Sequence, residues 1–468
     1  MLTGSNPYMT EHRTPEPMIA CEECGLVIAL PKLSDGQKAA CPRCHHTLIK
    51  QISMPFQRPF AYGFACLIML VLSVSFPFMS FSVQGITQEI TLLHAAKMLQ
   101  HFENSLLAML LLLTVVVLPA SYITAVLYLY RQASRHQYSE SSSQHMRILK
   151  RVYRGTFRIE PWIMVDVFLI GVLVSLIKIA SLADVGLGMS FWAFCVYAML
   201  VVKCVSMVDR TWLWQQFIPM QKLEGVKVGD THMSDNHVSC HTCSQLNPLP
   251  ATSHTRCSRC GSTLHRYNPN QSLQRAWALL IASAVFYIPA NLYPIMYTVS
   301  LGNSEGSTIL GGVVLLWQFG SYPIAMVIFL ASVVIPLAKM FSLAWLYISA
   351  QRIRDRSTTQ VIQRLRLYRM TELIGRWSMI DVFVVAILVA LVQLHNLMAI
   401  LPGPAALSFA VVVVFTMLSA MTFDPRAFWT LSDSQQDANN EKCINHNASY
   451  QNATHLSSPN GGVSNHDA

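Results

Sequence analysis

Eight of the chain's twelve cysteines fall into two sets of paired Cys-x2-Cys knuckles. The first set is Cys21, Cys24, Cys41 and Cys44, with sixteen residues between the pairs; the second is Cys240, Cys243, Cys257 and Cys260, with thirteen. Four thiolates at such spacing close a tetrahedron around zinc, with Zn–S bonds of about 2.3 Å. Gly25 and Gly261 each follow a knuckle, where the backbone must turn tightly. A closed four-ligand shell leaves no open position for chemistry, so two structural zinc sites are expected. An iron–sulfur centre would use the same ligands. Disulfides are the other reading, and the knuckles precede spans that enter from the reducing side. His45, His241 and His254 could each replace a cysteine, but four thiolates already suffice. Cys66, Cys195, Cys204 and Cys443 have no partners in sequence, and the three in apolar stretches read as packing residues.

A second set of reactive side chains sits where lipid is expected. Asp166 lies in "EPWIMVDVFLIGVLVSL" and Asp381 at the same point of "RWSMIDVFVVAILVAL". Lys178, Lys203 and Lys339 also fall in apolar stretches. A charge at mid-bilayer costs about 2.5–3.5 kcal/mol on insertion scales, and such residues mark proton relays and substrate paths. Ser332 lies two helical turns before Lys339 on the same face, and Thr416 lies in the last apolar stretch. The expected cluster pairs Lys339 with Asp381, with Ser332 and Thr416 around them. A carboxylate beside a lysine in low dielectric can exchange a proton as its surroundings rearrange, which suggests coupling to a proton gradient. The alternatives are an interfacial Asp381 and a snorkelling Lys339. Asp166, Lys178 and Lys203 form a secondary intramembrane set. Pro77, Pro289, Pro294 and Pro336, with Asn291, mark hinges or static kinks.

These residues need a membrane to position them. The 468 residues are 53% hydrophobic and 12% charged, with mean hydropathy +0.39, where a soluble chain carries about 25% charged residues. Eight apolar stretches, near 60–80, 105–130, 162–183, 189–208, 275–297, 321–349, 377–397 and 405–423, are long enough to cross. The links "ADVGLGMS" and "NLMAILPGPA" are short, so the stretches flanking each should form antiparallel hairpins. Segments 131–158 and 350–376 each carry seven Lys or Arg, whereas 298–320 carries none. Basic loops face the cytoplasm, which puts both termini inside. No apolar leader is evident in the first twenty residues. The net charge of +9 gathers beside the spans without interleaved aromatic platforms, so no nucleic-acid partner is expected.

The chain also repeats itself. Trp162-x-Met164-x-Asp166-Val167-Phe168 recurs as Trp377-x-Met379-x-Asp381-Val382-Phe383, 215 positions later. Pro77, Pro119 and Asp209 match Pro294, Pro336 and Asp424. The predicted fold is an all-α polytopic membrane protein, with eight transmembrane helices in two parallel four-helix repeats, each preceded by a small cytoplasmic zinc ribbon. Its expected parts are a disordered start (1–17), ribbon 1 (18–52), membrane module 1 (53–218), a linker (219–235), ribbon 2 (236–268), membrane module 2 (269–430) and a disordered tail (431–468). The outer segments "FSVQGITQEIT" and "YTVSLGNSEGST" read as small hairpins, followed by the short apolar helices "LLHAAKML" and "ILGGVVLLWQFG". Lys339, Ser332 and Thr416 align with Tyr122, Val115 and Val201, so only the aspartate is shared between the copies.

With the knuckles, the four-span copies and the phrases "IPANLYPIM", "SVVIPLAKM" and "RWSMIDVFVVAIL", the chain closely resembles the paraquat-inducible protein A family over about residues 18–430. That resemblance implies a non-enzymatic, multi-pass protein of the bacterial inner membrane. It implies a periplasmic partner whose MCE (mammalian cell entry) domains build a tunnel across the envelope, and phospholipid as the cargo to be loaded or unloaded. The family's zinc ligands map onto the eight knuckle cysteines, and its polar cluster onto Ser332, Lys339, Asp381 and Thr416. A zinc- or redox-responsive stress protein, or a structural anchor for the tunnel, is the alternative. No Walker-A loop or HExxH is present to suggest an enzyme.

Overall fold

A computed structural model describes residues 17–83, 86–92, 105–136, 143–179, 184–250, 255–300, 303–318, 320, 322–352, 358–391, 393–394 and 398–429. The expected disordered ends and the helix expected at "LLHAAKML" lie outside the described residues, apart from Pro17 and Leu92.

The chain begins with two hairpins, β1 (Met18–Ala20) with β2 (Val27–Ala29) and β3 (Lys38–Ala40) with β4 (Thr47–Lys50). Helix α1 (Gln57–Ser75) leads to strands β5 (Met79–Val83) and β6 (Ile86–Ile90). Then come α2 (Ser105–Leu112), a π-helical turn at Leu113–Val117, α3 (Leu118–His136) and α4 (Ser143–Ile159). Helix α5 (Val165–Ile179), β7 (Asp184–Leu187), α6 (Met189–Met207) and α7 (Arg210–Gln215) complete the first half. The second half repeats the order: β8 (Val238–Ser239), β9 (Leu246–Asn247), α8 (Pro269–Leu292), β10 (Met296–Ser300), β11 (Asn303–Ser307), α9 (Ile309–Gln318) and α10 (Tyr322–Phe329). After a π turn at Leu330–Val334 come α11 (Ile335–Gln351), α12 (Thr358–Trp377), α13 (Ile380–Leu391), β12 (Gln393–Leu394), β13 (Met398–Pro402) and α14 (Pro404–Thr422).

The molecule is mostly helical. Among the described residues, seven helical segments are long and apolar enough to cross a membrane, one fewer than the sequence suggested. The difference is α13. Its twelve residues span about 18 Å, short of a hydrocarbon core of about 30 Å. Gln393–Leu394, just beyond it, pair as strand with β13. Both supposedly short links are strands as well. β7 joins β5 in a three-stranded sheet, order β6-β5-β7, and β13 joins β10 in a four-stranded sheet, order β11-β10-β13-β12. The outer hairpins form as expected, with Met79 opposite Ile90 and Met296 opposite Ser307. An all-helical description therefore omits two sheets at the end of the molecule away from the cysteine hairpins.

Sheet and helix meet at glycines for a steric reason. A Cβ on Gly188 would lie 2.1 Å from the Pro77 carbonyl oxygen, and one on Gly403 would lie 2.1 Å from that of Pro294. Pro77 and Pro294 lie just past the ends of α1 and α8, not within them as hinge candidates should. Pro289 stays inside α8, where the Asn291 side-chain amide donates to the Tyr287 carbonyl at 2.9 Å. Proline also crowds the carbonyl four residues back. For Pro119 and Pro336 those residues are Val115 and Ser332, and both lie inside the π turns.

Packing follows the same order in each half. α1 runs along α6, and α8 along α14. Between the halves, α5 packs on α13. Phe168 meets Phe383 edge-on at 5.5 Å, and Gly171 lets the Phe383 side chain approach closely. Residues 215 positions apart thus face each other across this contact.

Candidate metal centres and the charged cavity

Each cysteine hairpin turn is built alike. Gly25, His45, Ser244 and Gly261, the residues after the second cysteine of each knuckle, all adopt positive φ, between 55° and 72°. Each donates its N–H back to the first cysteine's carbonyl, at 2.8 Å for Gly25, 2.9 Å for His45, 2.8 Å for Ser244 and 2.9 Å for Gly261. The first cysteine's own N–H is held by the carbonyl five residues on, for example Cys21 to Leu26 at 2.9 Å. The glycine signal covered two of these four turns; His45 and Ser244 adopt the same conformation without it.

The thiols converge. Cys21–Cys44 and Cys24–Cys41 are each 3.5 Å apart, Cys240–Cys260 is 3.5 Å and Cys243–Cys257 is 3.6 Å. A tetrahedron with Zn–S bonds of about 2.3 Å has S···S edges of about 3.8 Å, so both groups fit such an ion. All eight cysteines are buried, and uncompensated thiolates there would be costly without a cation. His45 and His241 do not belong to either group, and His254 lies outside the described residues.

The ribbons dock crosswise. Ribbon 1 cysteines pack into one core with Leu343 and Tyr347 of α11, Tyr368 of α12 and Phe428 and Trp429 after α14. Ribbon 2 cysteines share a core with Tyr153 of α4 and Leu213 and Trp214 of α7. Arg43 lies over the Trp429 ring at 4.3 Å, and Arg259 over Trp214 at 5.9 Å. The Arg369 guanidinium donates to the Cys44 carbonyl at 2.9 Å, and Arg154 to that of Gly261 at 3.3 Å. Arg369 further grips Glu23 from Nε, at 2.9 Å, and from Nη2, while His46 meets the same carboxylate at 3.1 Å. Burial alone would raise the Glu23 carboxyl, but His46 and Arg369 outweigh it and hold it below the usual range.

Of the intramembrane residues, the structure brings Lys339 and Thr416 together. Both are buried, and the ammonium donates to Thr416 Oγ1 at 2.8 Å. The Thr416 hydroxyl in turn donates to the Val413 carbonyl at 2.9 Å. Gly375 of α12 makes room for the lysine: a Cβ there would lie 3.1 Å from Nζ. Ser332 is buried in the π turn. The side chains of Asp381 and Lys178 lie outside the described residues. Lys203 is exposed and does not line this site.

Asp166 is exposed, yet it reaches the same space as Lys339. A cavity of 440 Å³ opens between the halves at the end bearing the cysteine hairpins. Its first-half wall carries Glu160, Asp166 and Arg210; its second-half wall carries Lys339, Glu372 and Arg376. Val201, Val202, Met417 and Met421 supply apolar lining. Glu160 and Arg210 form an ion pair at 3.0 Å. Burial would lower the Arg210 guanidinium, but Glu160 and Glu22 outweigh it and raise it. Sequence reading missed Glu160, Arg210, Glu372 and Arg376, because each sits at a span end where charges are routine. Only their meeting across the two halves sets them apart.

The family model for paraquat-inducible protein A matches residues 56–218 and 273–433. The chain is 42% identical over 436 residues to the intermembrane transport protein PqiA of Escherichia coli K12, covering 93% of this chain and all of that protein. It is 26% identical over 414 residues to the lipophilic envelope-spanning tunnel protein A of the same organism, covering 88% and 91% of the two chains. A probable intermembrane transport protein of Haemophilus influenzae is 27% identical over 425 residues, covering 90% and 98%. No solved structure matches. On the matched segments and the full-length relative together, the chain belongs to the paraquat-inducible protein A family.

Proposed function

We propose that this chain is the inner-membrane subunit of an intermembrane phospholipid transport system, loading or unloading lipid at a periplasmic tunnel partner built of MCE domains. The observation that carries the reading is the 440 Å³ cavity between the halves. Its size falls within the range of about 300–1,000 Å³ usual for ligand sites. Three carboxylates, three cations and an apolar wall match a phospholipid with a charged headgroup and acyl tails. The names of the relatives agree with such a role.

In this reading the two halves are parallel four-helix repeats of eight spans, α13 being a short span that hands over to the strands β12 and β13. The hairpins at the ribbon end face the cytoplasm, hold zinc and leave both termini inside; the strand sheets face the periplasm, toward the tunnel. Bound zinc would offset half the charge of the four thiolates and fix the knuckles, with no reactive role. Lys339 and Asp381 form the intramembrane pair, with Thr416 holding the ammonium and Ser332 beside it. A proton moving between them couples the cavity's opening to the gradient. Burial of all eight knuckle thiols argues against the redox-sensor alternative.

The test is lipid transfer between donor and acceptor vesicles by the purified chain with its tunnel partner, with and without an imposed proton gradient. Gradient-dependent transfer that disappears in Lys339→Ala is expected. Equal transfer by the variant, at equal protein level and equal tunnel binding, would return the chain to the role of an anchor.

A further inference from the structure

We propose that ribbon 1 is a crosswise brace that sets the position of α12, and through it the charged second-half wall of the cavity. The transport reading assigns the ribbons no role beyond holding metal, so this inference stands whether or not the cavity carries lipid.

Ribbon 1 precedes the first half yet is clamped to both. Its Lys50 N–H donates to Asp209 Oδ2, just past α6, at 2.8 Å. Its other end holds α12 by three contacts from one side chain: Arg369 to Glu23 Oε1, to Glu23 Oε2 and to the Cys44 carbonyl. Glu23 lies within the first knuckle and Cys44 ends the second, so the brace is flanked by metal ligands at both points. One turn further along α12 is Glu372, followed by Gly375 and Arg376, all three on the cavity wall with Lys339. Moving Arg369 therefore moves that wall, which faces the lysine at Gly375.

The opposite contact is weaker in a telling way. Thr242 stands where Glu23 stands, and among the described residues Arg154 reaches ribbon 2 through the Gly261 carbonyl, at 3.3 Å, while its Nε turns back to the Lys150 carbonyl of its own helix. The charged clamp is present where the docked half contains the buried lysine. Where Tyr122 replaces that lysine, the clamp is missing. Ribbon 1 thus positions a working wall, and ribbon 2 covers a packed one.

Hydrogen exchange of the full chain in lipid nanodiscs, with metal content measured in parallel, tests this. Arg369→Gln and Glu23→Gln should speed exchange across 358–377 by about tenfold, equivalent to about 1.4 kcal/mol. Segment 143–159 should be unaffected and both metals retained. The exchanged pair Glu23→Arg with Arg369→Glu should restore slow exchange, which a merely local loss of ribbon folding would not allow. Arg154→Gln should leave 358–377 at the wild-type rate. Should Glu23→Gln lose metal, Arg369→Gln, which lies outside the ribbon, decides. Unchanged exchange over 358–377 in Arg369→Gln, or an equal rise over 143–159, overturns the proposal.

Discussion

Replacing Lys339 by Met keeps the length of the side chain and removes its charge. The lysine is 4% exposed, and its ammonium makes a 2.8 Å bond to Thr416. A hydrogen bond to a charged group contributes about 1.5–3 kcal/mol. Against it stands the several kcal/mol needed to take an ammonium out of water. Loss of the ammonium leaves no orphaned donor, because the Thr416 hydroxyl already donates to Val413. The variant should therefore be as stable as the parent or up to about 2 kcal/mol more stable, while lipid transfer falls to background. Thermal unfolding in detergent, read beside the vesicle assay, separates the two effects. Thr416→Val should destabilise the parent by about 1–3 kcal/mol and the Lys339→Met variant hardly at all, since the group it serves is gone. Unchanged transfer in Lys339→Met would refute the functional reading of the lysine. A large drop in stability with a proportional drop in transfer would refute it too, by making the lysine structural.

Gly403→Ala should destabilise by about 3 kcal/mol or prevent accumulation, because its Cβ would lie 2.1 Å from the Pro294 carbonyl oxygen. Gly312→Ala, with nothing within 4 Å of its Cβ, should stabilise α9 by about 0.5–1 kcal/mol; thermal melts of the two compare them. Elemental analysis of the purified chain should find two zinc ions per chain, falling to one in Cys41→Ser and to one in Cys257→Ser. Retention of both ions in either variant would show that three thiolates suffice or that a histidine completes the shell.

How much of this was legible in the sequence depended on whether the signal was local. The knuckles were legible because metal geometry forces a fixed spacing, and the outer hairpins because strand alternation and glycine do the same. The strands β7 and β13 were not. "DVGL" and "MAILP" are short apolar segments beside spans, and their pairing with β5 and β10 is set by partners about a hundred residues away. Pro294 misled for a related reason: a proline after an apolar run reads as a kink, whereas here it ends α8 and lends its carbonyl to the turn at Gly403. Periodicity likewise could not reveal that the ribbons cross over, since each knuckle set has the same composition whichever half it covers.

The two halves share a frame but not a chemistry, and the packing explains how they could part. Both have a π turn before a proline, a glycine under the proline carbonyl and an arginine reaching a ribbon carbonyl. These shared features are backbone and steric devices, which either half needs in order to fold. Lys339, Ser332, Thr416 and the Glu23 clamp, by contrast, belong to one half. In the first half Tyr122 fills the lysine's place, fully buried, and among the described residues its hydroxyl has no hydrogen-bond partner. A buried hydroxyl without a partner is destabilising, but by less than a buried unpaired ammonium. That site can therefore stay closed without a counter-charge, whereas the second half has to hold its lysine through Thr416 and a correctly placed α12. Introducing lysine at Tyr122 without a threonine at Val201 should accordingly destabilise the first half, and supplying both should recover part of the loss, without conferring transfer on a chain that carries Lys339→Met.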